Sequence, residues 1–190
     1  MTCKDEYQDL FKTVMKEHLS VFEAQNVAEL EQFMDLIVQA DRIFCMGVGR
    51  EGISTRGFAM RLMHLGKEVH WIWDDTTPGM HKGDLFIATN GSGKIGHIQY
   101  VTEQAKKSGA TVAIVTGSAN QVNREFADFV LFVPASVFNG TDTRAVESIQ
   151  PMGNLFEQHL YMLYDIIVIM LERRLKLSHE AMEARHRNVE

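Results

Sequence analysis

The chain has 190 residues, room for one domain with a sizeable core, and its 45% hydrophobic and 23% charged residues are ordinary for a globular protein. A net charge of −6 argues against a general nucleic-acid binder, which needs a basic face, but not against a small anion held by local positive potential. Cys3 and Cys45, two isolated cysteines, make neither a disulfide framework nor a zinc site. Residues 1–6 are charged and lack the apolar run of a signal peptide. The most apolar helical stretch, 160–171, contains Asp165 and is too short to cross a bilayer. We therefore expect a cytoplasmic protein without membrane or nucleic-acid partners.

Between residues 5 and 40, Leu10, Val14, Leu19 and Phe22, then Val27, Leu30, Phe33, Met34 and Ile37, recur at helical spacing and predict two amphipathic helices. A buried strand follows at 42–46 and runs into Gly47-Val48-Gly49. A helix over 53–65 closes at Gly66, a glycine suited to a helix C-terminus. Strands are then expected at 68–73, 84–89, 110–116 and 129–134. Helices are expected up to Lys107, near 121–126, and over 151–175. Strands separated by helices imply a parallel sheet covered on both faces, a doubly wound α/β domain over 1–190. Its parts are N-terminal helices (5–40), an αβα core (41–135), the long helix (151–175) and a C-terminal tail helix (178–190). Residues 135–150 form the one long connection without periodicity, which marks it for function or mobility.

Ligands of open parallel sheets bind beyond the carboxyl ends of the strands. Two glycine turns fall at such ends, Gly47-Val48-Gly49-Arg50-Glu51-Gly52 and Asn90-Gly91-Ser92-Gly93-Lys94. Each leads into a helix, whose free N–H groups and positive dipole end favour an anion; Ser92 and Lys94 add a hydroxyl and a charge. Either turn alone serves equally well as a tight strand-to-helix connection, but two at successive strand ends point to a phosphate site. Gly47, Gly49 and Gly52 also satisfy G-x-G-x-x-G, so a nucleotide-binding oxidoreductase is a competing reading. It lacks a clear acidic residue ending the next strand unless Asp74 or Asp75 serves. A P-loop is excluded, because Ile95 follows Lys94 where Ser or Thr is required.

Pro151 suits the first position of the long helix and puts Glu157 in its second turn, with Gly153 and Asn154 one turn behind leaving room for a ligand. A carboxylate there, beside Phe156, Leu160 and Leu163, can be tuned as a base; it can equally be a solvent-facing helix-start residue. The eight histidines show no metal-binding spacing, so no metal is expected. His64 reads as a packing residue, and His186, taken alone, as part of a solvated tail.

Together these segments resemble the 6-phospho-3-hexuloisomerases, a family of the sugar isomerase (SIS) fold. The likeness runs through the 47–52 turn, Arg56 to Gly66, Thr77-Pro78, Lys82-Gly83-Asp84-Leu85 and Asn90-Gly91-Ser92-Gly93. More specific are Gln150-Pro151-Met152-Gly153, Leu155-Phe156-Glu157-Gln158 and Arg185-His186-x-Asn188-x-Glu190. The resemblance implies a five-stranded parallel sheet, a homo-oligomer (tetramer or dimer) and no cofactor. It further implies interconversion of D-arabino-3-hexulose 6-phosphate and fructose 6-phosphate through an enediol. Glu157 then aligns with the family's base. His186 aligns with a histidine that assists proton movement between oxygens, in its own or a neighbouring subunit. Gly49, Arg50, Glu51, Asn90, Gly91, Ser92, Gly93 and Lys94 would bind the sugar phosphate. This chain departs from the family pattern at Glu51, where the family has Ser or Thr, and at Asn90, Lys94 and Ile95. A carboxylate at 51 is expected to turn away from the phosphate or to pair with Arg50 or Lys94. Otherwise the substrate is a different sugar phosphate, or the domain is a non-catalytic sugar-phosphate sensor.

Overall fold

The computed structural model of the chain describes residues 2–189. Two helices open it, α1 (Cys3–Ala24) and α2 (Val27–Gln39). The hydroxyl of Thr2 accepts the Asp5 N–H while the Asp5 carboxylate accepts the Thr2 N–H, satisfying two free donors at the start of α1. Asn26 caps α2 through the N–H groups of Ala28 and Glu29. There follow β1 (Arg42–Met46), α3 (Gly49–His64), β2 (Glu68–Trp71), β3 (Leu85–Thr89), α4 (Gly96–Lys107), β4 (Thr111–Thr116), β5 (Phe129–Phe132), α5 (Asn154–Leu175) and α6 (His179–Glu183).

All strand pairings are parallel, in the order β2-β1-β3-β4-β5. Strands buried on both faces read as unbroken apolar runs. Alternate side chains divide between two cores: Ile43, Cys45, Ile87 and Val115 pack with α2, α3 and α5, while Phe44, Met46, Phe86 and Ala88 pack with α4. Asp84, almost fully buried before β3, receives both arms of Arg42 and the His81 N–H, fixing the register of β1 on β3. The strand order reverses between β1 and β3. The cleft outside their carboxyl ends is the natural ligand position of such a sheet.

Several expected boundaries shift for local reasons. The chain leaves β2 at Trp71, whose carbonyl accepts the Asp74 N–H and the Thr77 hydroxyl. In place of a helix over 121–126 there is a 3-10 turn, Ala119–Gln121, and Asn123 draws the Glu125 N–H to its side chain instead. Pro151 begins a separate 3-10 turn. Met152 (φ 57°) and Gly153 (φ 82°) break the helix, so α5 starts at Asn154 and Glu157 lies in its first turn rather than its second. The tail helix spans only 179–183. Its last turn closes where the Arg185 guanidinium bonds the carbonyls of Ala181 and His64. Glu190 of the tail motif lies outside the described residues. No helix of the described residues is long and apolar enough to cross a membrane.

Candidate active site

The turn after β1 is closed on itself. The Val48 carbonyl accepts the Gly52 N–H at 2.9 Å, and a Cβ on Gly52 would stand 2.7 Å from the Gly47 oxygen. The first and third glycines of the G-x-G-x-x-G pattern are thus accounted for by backbone contact within the turn. Beneath it runs a buried hydroxyl chain: Thr55 donates to the Glu51 carbonyl at 2.8 Å and meets Thr89 at 2.6 Å, and Thr89 meets the Tyr164 hydroxyl at 2.8 Å. That chain ties the first turn of α3 to β3 and α5, so Arg50 and Glu51 are presented from a fixed backbone.

Arg50 and Glu51 then diverge. Arg50 Nε donates to Glu157 Oε2 at 2.6 Å, joining the starts of α3 and α5. Glu51 crosses to the other glycine turn, where its Oε2 accepts the Gly91 N–H at 2.9 Å. The Glu51–Lys94 and Glu51–Arg50 ion pairs open to this sequence are both absent among the described residues. Burial without a cation pushes the Glu51 carboxyl up to about 7; the Gly91 bond acts against this, and the nearby Glu157 charge adds to it.

These side chains line a cleft of about 400 Å³ together with Gly49, Ser92, Lys94, Phe138, Asn139 and Met152. Of the expected ligand-binding residues, Gly49, Arg50, Glu51, Ser92 and Lys94 face this space, and Gly91 reaches it through the Glu51 bond. Asn90 and Gly93 do not. Asn90 holds the turn, its carbonyl accepting the Gly93 N–H and its side chain the Ile95 N–H. Both line a neighbouring cavity of about 340 Å³ beside Tyr100 and Phe126, which Glu51, Glu157 and Lys94 do not reach.

No family model matches the chain. Relatives do. The 3-hexulose-6-phosphate isomerase of Bacillus subtilis is 35% identical over 162 residues, covering 85% of this chain and 87% of the relative. That of Mycobacterium gastri is 35% identical over 187 residues, covering 98% and 87%. The chain belongs to the 3-hexulose-6-phosphate isomerase family. Its members so named are isomerases, and the fold agrees. A crystal structure from Methanococcus jannaschii, from which a molecular function of 3-hexulose-6-phosphate isomerase was inferred, superposes with a TM-score of 0.81 at 28% identity, covering 96% of this chain and 99% of that one. The five-stranded sheet is therefore the SIS sheet.

Within this isomerase-family chain, His186 does not stand at the cleft. Its ring stacks on His64 at 5.4 Å between centroids, and its Nδ1 bonds the Arg187 carbonyl. His64 ends α3 and Gly49 begins it, so about 22 Å of helix separates the two.

Sequence reading missed the residues of the 135–150 connection that shape the cleft. Phe138 and Asn139 form one wall of it, and Glu17 of α1 anchors the segment's end, accepting the Ser148 hydroxyl at 2.6 Å, the Ile149 N–H at 2.8 Å and the Gln150 amide at 2.9 Å. Burial raises the Glu17 carboxyl, but these three bonds outweigh it and hold the group below the usual carboxylate range. One signal was available. Glu17 lies three residues after Val14 and four before Val21, a carboxylate on the apolar face of its helix.

Proposed function

We propose that the protein interconverts D-arabino-3-hexulose 6-phosphate and fructose 6-phosphate, with Glu157 as the base. The observation that carries this reading is the Glu157 carboxylate itself. It stands in the cleft at the sheet's switch point, steadied by Arg50, in a chain of the hexulose-phosphate isomerase family. The reaction moves a proton from C2 to C3 and the carbonyl from C3 to C2, so one hydroxyl proton must pass between the two oxygens. Glu157 takes the C2 proton, an enediol forms, and the same group returns the proton at C3. Ser92, Lys94 and the first N–H groups of α4 hold the phosphoryl group, where helix dipole and lysine charge add.

Assembly and tail belong to the same proposal. Tyr7, Leu10, Phe11, Met15 and Leu19 are exposed along α1, an apolar stripe that a second copy can cover in a homo-oligomer. Because His186 lies a helix length from its own Glu157, its part in moving the hydroxyl proton is assigned to a neighbouring subunit's cleft. Neither step calls on a metal. The test is conversion of D-arabino-3-hexulose 6-phosphate to fructose 6-phosphate in the presence of a chelator. Turnover is expected; its absence from folded protein overturns the assignment.

A further inference from the structure

The Glu51 carboxyl sits among the donors that should receive the substrate's phosphoryl group. Its Oε2 holds the Gly91 N–H, its Oε1 lies so close to the Gly91 Cα that a Cβ there would overlap it, and it lines the same cleft as Ser92 and Lys94. A negative charge fixed at that place opposes a phosphate. The charged and titratable groups around it do not cancel that charge. On its own helix Arg50 is taken by Glu157; from α5 Glu157 adds a second negative charge, and Tyr164 is a neutral phenol; from the β3 turn Lys94 forms no ion pair with it among the described residues. The backbone cannot easily move Glu51 aside, because Thr55, Thr89 and Tyr164 pin its turn. What can change is its proton.

We propose that Glu51 is a binding residue that couples sugar-phosphate uptake to protonation: the phosphoryl group settles in the β3 turn as the Glu51 carboxyl takes a proton from the buffer acid, leaving its conjugate base in solution, and becomes a neutral hydrogen-bond donor beside it. The inference rests on the sugar-phosphate reading of the cleft and deepens it. The proton has a place to reside, since Oε2 is engaged as an acceptor by Gly91 and Oε1 carries no hydrogen bond among the described residues that the proton would have to break. Burial, which already favours the neutral carboxyl, works in the same direction. Affinity should therefore fall as the solution becomes more alkaline than Glu51's own midpoint, by up to tenfold per pH unit. A serine or threonine here, as in the family pattern, would bind without this dependence.

Calorimetric titration with fructose 6-phosphate, and with inorganic phosphate as the sugar-free probe, tests this between pH 6 and 8.5 in two buffers of different ionisation heat. At pH 8 the wild type is expected to take up about one proton more per bound ligand than Glu51→Gln, and its Kd should rise above the variant's by up to tenfold per pH unit. The ligand's own second ionisation is common to both proteins and drops out of the difference. Glu51→Ser is the second variant, should the glutamine fail to fold. Equal proton uptake in wild type and variant overturns the inference, as does failure of the wild type to bind either probe at pH 6. The two readings fail separately. A wild type that binds with this proton coupling but leaves D-arabino-3-hexulose 6-phosphate unchanged keeps the inference and loses the isomerase; an active wild type whose KM follows pH as Glu51→Gln's does loses only the inference.

Discussion

At the end of β1 the chain turns by closing on itself. Gly47 and Gly52 touch through their backbones, the Gly52 N–H is used by Val48, and the turn's chemistry is carried outward by the side chains of Arg50 and Glu51. At the end of β3 the roles are reversed. Asn90 uses its own carbonyl and side chain to shape the turn, and Gly91 offers its N–H to another element; no side chain caps the start of either α3 or α4. One turn is a rigid mount for charged side chains, the other lends a backbone N–H to the Glu51 carboxyl. The difference lies in what closes each turn: backbone contact between two glycines closes the first, and the Asn90 side chain holds the second.

The largest effect should come from removing the chemistry that the first turn steadies. Glu157→Gln is expected to lower kcat about 10³-fold while changing sugar-phosphate Kd only a few-fold, measured by coupled assay and calorimetry. Strong residual turnover would take the base role from Glu157. Deleting the tail after Met182 should lower turnover about tenfold or more, with the thermal midpoint nearly unchanged, because residues 183–189 are exposed and add little to the core. An unchanged rate would leave His186 an ordinary tail residue.

Stability separates the two turns next. Gly52→Ala drives a methyl into the Gly47 backbone and should cost about 2–3 kcal/mol in denaturant unfolding, whereas Gly96→Ala, which meets nothing at the start of α4, should cost well under 1 kcal/mol. Similar values for the two would dissolve the distinction between a self-packed and an open turn. The smallest effect is the pH dependence of folding. The Glu51 carboxyl is raised to about 7 in the folded chain, so the native state binds its proton more tightly than the unfolded state does. Its contribution is full below the unfolded value and is lost as pH rises from about 4.5 through about 7. The wild type should lose about 2 kcal/mol relative to Glu51→Gln across that window, a figure already reduced for partial exposure. Parallel curves for the two proteins would show that the carboxyl is not held in a neutralising site.

Local chemistry, readable one residue at a time, determined much of this molecule. Ile43 to Met46 is an unbroken apolar run because both faces of its strand are covered, and Gly66 ends α3 with φ 91° because its position demands a left-handed residue. The same reading placed Arg50, Glu51, Ser92 and Lys94 at strand ends, where a parallel sheet keeps its ligands, and Glu157 near the start of the long helix. It could not say which of the two turns lends its backbone, since Gly47, Gly49 and Gly52 look like a ligand cradle until the carbonyl of one is seen against the Cα of another. Nor could it find Phe138 or Asn139, whose place in the cleft beside Gly49 and Ser92 depends on contacts between distant segments that no local period encodes. The tertiary structure alone decided that Arg50 pairs with Glu157 and not Glu51, that Asn90 serves the turn and not the cleft, and that His186 lies at the opposite end of α3 from the carboxylate. Spacing along a chain sets the faces of helices and strands; which charged side chains meet is set by where the packed elements bring their ends.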